Sequence, residues 1–247
     1  MSTRGAEGAG LTRGERVAIF VRSLLLQSAW NTRDMQNVGF CFSMMPVAGR
    51  LEGDRTALAG FLGRHLAFFN TNPALSTFAI SQAAEAEVTG RPQDALEIKR
   101  TLSGPLGMAG DALLWGTLRP LAAMLAVAAF LMGVRWAPVL LVVFYALPQL
   151  ILRASGAAAR GAHGEGARPV FGPGLRTLTT CARAALSFLA GAVVALSLGS
   201  EALAPQTLAI AGCYFALAFL ALRARVPATL IGLAGVAGGV ALMYTRF

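Results

Sequence analysis

Charge is scarce in this chain. Only 13% of its 247 residues are Asp, Glu, Lys or Arg, roughly half the ~25% of an average soluble domain. Together with 55% hydrophobic residues and a mean hydropathy of +0.60, the deficit favours an integral membrane protein over the soluble alternative, a buried, Ala-rich helical protein. Histidine is nearly missing: His65 and His163 lie far apart in sequence and offer little to a phosphocarrier or a metal cluster. Cys41, Cys181 and Cys213 are an odd set in apolar contexts, without metal-ligand spacing, and read as buried thiols. There is no P-loop pattern to cradle a phosphate. Without a basic run interleaved with aromatics, the net charge of +9 does not read as a nucleic-acid footprint; arginine-bearing cytoplasmic loops account for it better. No secretory signal is expected, because MSTRGAEGAG leads into an amphipathic stretch and not into a compact apolar core with a cleavage site. From Asp111 onward the acids are Asp111, Glu165 and Glu201, too few converging groups for an enzyme acting on lipid by metal-assisted or acid–base chemistry.

What is present is helical periodicity. Residues 15–29 repeat apolar positions at Val17, Phe20, Val21, Leu24 and Leu25 around Arg16 and Arg22, the pattern of an amphipathic helix at an interface or against a partner. Further helices are predicted over 56–69, over 74–88 with a stop near Gly90 and Pro92, and over 93–103 with a stop at Gly104 and Pro105. None of these is long or clean enough to cross a bilayer, which takes about 20 largely apolar residues. Membrane segments are expected near 112–132, 138–152, 184–198, 206–222 and 227–244, the second and third short and the second interrupted by Pro148. Five crossings is the upper reading.

The fold class is therefore an all-α integral membrane protein: N-terminal amphipathic, interfacial helices followed by a bundle of up to five membrane segments, some broken or re-entrant. Four regions follow: a cytoplasmic or interfacial helical region (1–103), a Gly-rich turn with the first membrane segments (104–152), a basic Gly-rich cytoplasmic linker (153–183) and C-terminal membrane helices (184–247). Arg153, Arg160, Arg168, Arg176 and Arg183 face the single acid Glu165 in that linker, whereas Glu201 marks the next connection and Arg223 and Arg225 the one after. The alternation puts the N-terminus in the cytoplasm of a multi-pass inner-membrane protein.

Three polar blocks interrupt the apolar pattern: QSAWNTRDMQNVGF (27–40), RHLAFFNTNP (64–73) and IKRTLSGPLGMAGDALLWGTLRP (98–120). In order and spacing they closely resemble the signature blocks of the IID subunit of mannose/fructose/sorbose-class sugar phosphotransferase systems, and the likeness extends over nearly the whole chain. Two positions depart from the family's usual pattern. Asn72 stands where a His precedes the closing proline of the second block, and Thr32 where the first block has an aromatic. The resemblance implies a permease subunit, not itself phosphorylated or catalytic and without a cofactor or metal. It would pair with a IIC membrane subunit to form the path for a hexose-type sugar, the pairs assembling into an oligomer among membrane lipids. IIA and IIB units would carry phosphate to the arriving sugar. The alternative is a regulatory or scaffold membrane protein that keeps the fold without transporting.

A sugar is uncharged and dense in hydroxyls, so its site calls for amides and carboxylates, with an aromatic face for the C–H side of the ring. Trp30, Asn31, Gln36 and Asn37 offer this mixture in the first block, Asn70 in the second, and Asp111, Trp115 and Arg119 in the third. The same amides could instead cap helices or satisfy backbone groups, and the tryptophans could anchor at an interface. On an α-helix Asp111, Trp115 and Arg119 would drift only about 40° per step along one face. Asp111 and Arg119 would then lie about 12 Å apart, so each is expected to find a different partner. His65 is read as a hydrogen-bonded structural residue.

Overall fold

The computed structural model describes residues 10–51, 53–160, 165–198 and 213. Its helices are α1 (Arg13–Ser23), α2 (Asn37–Ala48), α3 (Arg55–His65), α4 (Ser76–Val88), α5 (Pro92–Gly110), a π segment (Asp111–Leu118), α6 (Arg119–Leu131), α7 (Ala137–Ala158), the short α8 (Arg168–Phe171) and α9 (Pro173–Leu198). Among the described residues, strand pairing is limited to two isolated bridges, Asn31 with Met35 and Met35 with Phe69. The chain divides into two compact units, Met1–Leu189 and Ala190–Phe247. Of the second, the described residues are the end of α9 and Cys213.

Helix α1 begins where T-R-G-E allows a reciprocal cap: the Glu15 N–H donates to Thr12 Oγ1 at 3.2 Å and the Thr12 N–H donates to the Glu15 carboxylate at 2.8 Å. It ends at Ser23, earlier than the periodicity predicts, and the chain then winds through tight turns such as Leu26 N–H to Ser23 C=O and Trp30 N–H to Gln27 C=O. Ile19 and Leu26 are buried, while Val17, Val21, Leu24 and Leu25 point outward, each about half exposed. Helix α2 is absent from the apolar reading because no polar face marks it. Phe40, Met44 and Val47 form its buried side, yet Val38 and Phe42 keep the opposite side apolar too. Helix α3 starts on the Asp54 side chain, which accepts from the Ala57 N–H at 2.9 Å, and stops at His65, four residues before the predicted end.

The largest departure comes at residue 104. The expected Gly-rich turn does not exist: α5 passes through Gly104 and Pro105 to Gly110, and the π segment and α6 continue it into one helix over Pro92–Leu131. Close approach requires glycine at Gly110, where a Cβ would sit 2.3 Å from the Asn72 Cβ; a Cβ on Gly107 would lie 3.8 Å from the Thr71 Cα, in ordinary contact, and one on Gly104 would meet nothing within 4 Å. Chain packed on the helix, rather than a turn in it, accounts for Gly110. Helix α7 likewise runs through Pro148 without a break. Proline is tolerated inside such apolar helices when neighbours hold the flanking turns, and here α4 and the chain end of α1 do so. Thr77 Oγ1 donates to the Arg153 C=O at 2.7 Å, and the Arg153 guanidinium donates to the Ser23 C=O.

The described residues of the stretch predicted as a Gly-rich linker are held by the rest of the chain. Arg16 donates to the Ala157 and Ala159 carbonyls at 3.2 and 2.8 Å, and the Gly166 N–H donates to the Gln82 side-chain oxygen at 3.2 Å. A Cβ on Gly156 would lie 2.3 Å from Thr77 Oγ1, so this glycine serves a contact. Cys41 is buried as expected, but Cys181 and Cys213 are exposed.

Among the described residues, two helices are long and apolar enough to cross a membrane: Pro92–Leu131, and Ala137–Ala158 with 6% of its apolar window buried. They cover the first two expected segments, 112–132 and 138–152. The segments expected at 206–222 and 227–244, with His163 and the charges at 201, 223 and 225, fall outside the described residues.

Candidate functional site

The three polar blocks meet around one extended piece of chain, residues 66–73. On one side lies the first block. Asn31 and Met35 exchange backbone hydrogen bonds at 3.1 and 3.0 Å, closing a loop in which Asn31 Oδ1 accepts from the Asp34 N–H at 2.8 Å and Met35 takes a positive φ of 59°. This aims residues 34–36 along 69–71: the Gln36 N–H donates to the Phe69 C=O at 2.8 Å and the Phe69 N–H to the Asp34 C=O at 3.3 Å. There the first block turns into α2, and the buried Gln36 side chain takes over the pairing. Its NH₂ donates to the Thr71 C=O at 2.9 Å and its carbonyl accepts from the Thr71 N–H at 3.0 Å. A side-chain amide has the same donor and acceptor as a peptide group, so glutamine extends a ladder the backbone has left.

On the other side runs one face of α5. Lys99 Nζ donates to the carbonyls of His65 and Ala67 at 2.9 and 2.6 Å and reaches that of Arg64 at 3.4 Å. It thereby satisfies the last turn of α3, where carbonyls lack intrahelical donors and a cation is favoured, and it lies 4.7 Å over the Phe40 ring. One turn on, the Ser103 hydroxyl donates to the Asn70 C=O and accepts from the Asn70 N–H. Gly107 then passes Thr71, and Asn72 donates to Asp111 Oδ1 at 3.0 Å while its own oxygen accepts from the Ala74 N–H at 3.1 Å. Lys99, Ser103, Gly107 and Asp111 recur every four residues, so the stripe and the extended chain run together for three turns.

The eight residues predicted for the site sort by this geometry. Gln36, Asn37 and Asn31 are braces: Asn31 donates to Asn37 Oδ1 at 2.9 Å, and Asn37 donates to the Leu66 C=O at 2.6 Å. Trp30 and Trp115 are about half exposed, and Asn70, Asp111 and Arg119 are exposed as well. The Asn70 amide has no hydrogen bond among the described residues, whereas its backbone is fixed by Ser103. Asp111 and Arg119 do answer to different partners, but the helix between them is not α. In the π segment Thr117 donates to the Ala112 C=O at 2.8 Å, and Arg119 stacks over the Trp115 ring at 4.8 Å, leaving Asp111 to Asn72. π-Type winding appears mostly as local insertions inside α-helices, often at functional sites.

Three participants escaped the sequence reading. Lys99 was detectable as a lysine on the apolar stripe of Ala95, Ile98, Leu102 and Leu106. Ser103 carried no signal of its own. Glu87 pairs with the second block from 22 residues away: it accepts from Arg64 through both oxygens at 2.9 Å and lies 2.9 Å from His65 Nε2. Burial holds the His65 imidazole below its ordinary value against the opposing pull of Glu87, so a neutral ring donates from Nε2. Burial pushes the Glu87 carboxyl up, but its His65 and Arg64 donors together keep it below the usual carboxylate range. His65 is wholly buried between Phe40 and Phe61, the structural role expected of it, although with an acid beside it that the sequence did not reveal.

Comparison with known proteins adds the family. The sequence model described as “PTS system mannose/fructose/sorbose family IID component” matches residues 10–198. A sorbose-specific EIID component of Klebsiella pneumoniae is 40% identical over 129 residues, 50% of this chain and 47% of that protein. A mannose-specific EIID component of Escherichia coli K12 is 35% identical over 157 residues, 60% and 55% respectively. The chain thus spans about half the length of the curated relatives it matches. In three dimensions it is similar to a chain of the mannose transporter ManYZ, solved in complex with microcin E492, with a TM-score of 0.57 and 28% identity over 95% of this chain and 97% of that one. A second structure, described only as a membrane protein, gives a TM-score of 0.61 at 27% identity over 94% and 96%.

Proposed function

The chain belongs to the mannose/fructose/sorbose-family IID components of the sugar phosphotransferase system, and from that premise we propose that it forms, with a IIC subunit, the path by which a hexose-type sugar enters the cell. The observation that carries the proposal is the division of labour around residues 66–73. Buried amides and Lys99 fix the backbone, while Trp30, Asn70, Asp111, Trp115 and Arg119 stay open to a second surface. Rings, an amide, an acid and a base are the groups a neutral polyol needs, and a path half-built on one chain is completed by another.

The sugar is phosphorylated by a IIB unit charged through IIA as it reaches the cytoplasm, and this chain holds and passes it without donating phosphate. Helices α6 and α7 stand in the inner membrane, where lipid and the IIC subunit cover their outward apolar sides. The N-terminus is cytoplasmic. The outward stripe of Val17, Val21, Leu24 and Leu25 lies along the membrane surface, as amphipathic helices with basic flanks do.

The test is reconstitution in a cell lacking its own mannose-class permease. Uptake of labelled hexose should require this chain together with IIC, IIA and IIB subunits of the same class, and the chain should co-purify with IIC. Normal uptake in its absence contradicts the proposal.

A further inference from the structure

A second opening in the molecule lies away from residues 66–73, where the junction of α5 and the π segment faces α8 and the first turns of α9. Its floor is apolar, with Met108, Phe171 and Leu175 among its lining, and its rim carries Arg176, Thr180 and Arg183. Among the described residues there is no carboxylate in its lining. Arg183 spends Nε on Thr117 Oγ1 at 3.2 Å, which leaves its two terminal nitrogens free among the described residues. No ion pair or hydrogen bond engages the Arg176 guanidinium among them either. The Thr180 hydroxyl already donates to the Arg176 C=O at 3.0 Å, so the donors that remain are the two guanidinium forks.

Arg176 and Arg183 are two turns apart, about 10 Å along the helix and on nearly the same face. Side chains of arginine length can converge from that spacing on one tetrahedral anion, which they grip by paired N–H donors. The cleft abuts Met108, on the helix that contains a candidate membrane span, so an acyl chain on its apolar floor and a phosphate on its rim would both be satisfied. Basic pockets between helices at the cytoplasmic face hold anionic headgroups in this way.

We propose that this cleft is a binding site for an anionic phospholipid, its phosphate held by Arg176 and Arg183 and one acyl chain laid against Met108, Phe171 and Leu175. Through the Arg183–Thr117 bond the lipid also fixes the π segment that carries Asp111 and Trp115. The inference rests on the membrane placement of the subunit but not on sugar uptake, and its test reads lipid binding alone.

The purified full-length chain is titrated in mixed micelles with phosphatidylglycerol or phosphatidylcholine carrying matched acyl chains, and bound lipid is counted by native mass spectrometry. Saturable binding of one phosphatidylglycerol is expected, with phosphatidylcholine weaker. Arg176→Gln with Arg183→Gln should weaken phosphatidylglycerol roughly thirtyfold, each basic group near an anionic surface contributing about fivefold. The charge-matched pair Arg33→Gln with Arg55→Gln should bind as the unaltered chain does, and Arg176→Lys with Arg183→Lys should recover part of the loss, the charge returning without the paired N–H donors. Circular dichroism and elution volume verify that each variant is folded. Equal affinity for the two lipids, an equal loss in the charge-matched pair, or displacement of the lipid by 10 mM inorganic phosphate, roughly ten-thousandfold above a micromolar lipid affinity, would each overturn the assignment.

Discussion

The chain around residues 64–111 and the hairpin of α6 and α7 are built on opposite terms. In the first, charged and amide side chains are taken out of water and paired within the chain: Lys99 with three carbonyls, Gln36 with Thr71, His65 with Glu87 through Nε2, its Nδ1 having no partner among the described residues. In the second, Val142, Phe130 and Leu147 are half or more exposed, and nothing within the described chain covers them. The first region holds its shape through its own bonds; the second depends on what surrounds it. The proposed function calls for both: fixed side chains presented to a sugar, and an apolar surface for lipid and a partner.

Removing the central donor should break the first region and do so most strongly. Lys99→Met strips the last turn of α3 of its cation and leaves buried carbonyls unmet, a loss of about 3 kcal/mol, read as a large drop in melting temperature in detergent. Unchanged melting would mean that the extended chain is held by other contacts.

How much of this was legible in advance differs between the same two regions. The apolar hairpin announces itself by run length, and both of its segments were found. Its second was underestimated because Pro148 reads as a break, whereas packing of the turns beyond it carries the helix on. The polar blocks were legible as blocks, but the roles within them were not. Asn31, Gln36 and Asn37 have the chemistry of sugar ligands and also that of substitute peptide groups, and only the distance to Thr71 and Leu66 separates the two uses. Gly104, Gly107 and Gly110 read as a turn because glycine permits one. That Gly110 makes room for Asn72 depends on a contact 38 residues away in sequence, which no local pattern carries. The π winding after Gly110 is equally silent in the sequence.

A smaller effect follows from pH. The folded state holds His65 below its ordinary value of 6.5, so the unfolded chain takes up the proton first. The stability due to the neutral ring is complete above 6.5 and declines as pH falls toward the folded value. Glu87, also held down, adds its own loss only below its ordinary 4.5. Melting temperature should therefore decline between pH 6.5 and 4.5 in the unaltered chain and decline less in His65→Gln, whose amide can still donate to Glu87. Parallel profiles would remove His65 as the cause.

The smallest effect belongs to the hairpin. Val142→Ser on the outward side of α7 should shift melting in detergent by less than about 0.5 kcal/mol, as surface substitutions do, while lowering the amount of protein recovered in the membrane. A large loss of melting temperature would show that this side is packed within the chain, and the contrast between the two regions would fail.

The central claim is that a self-braced frame holds an open set of side chains for a sugar. It is tested most directly by hexose uptake in cells carrying all partner subunits, comparing the unaltered chain with Asn70→Ala and Asp111→Asn at equal amounts in the membrane. Asn70→Ala removes a side chain without a hydrogen bond among the described residues, and the amide oxygen of Asp111→Asn can still accept from Asn72, so the frame stays intact and uptake should fall about tenfold in each, the effect of losing one well-placed hydrogen bond to a substrate. Uptake equal to that of the unaltered chain in both variants would contradict the account.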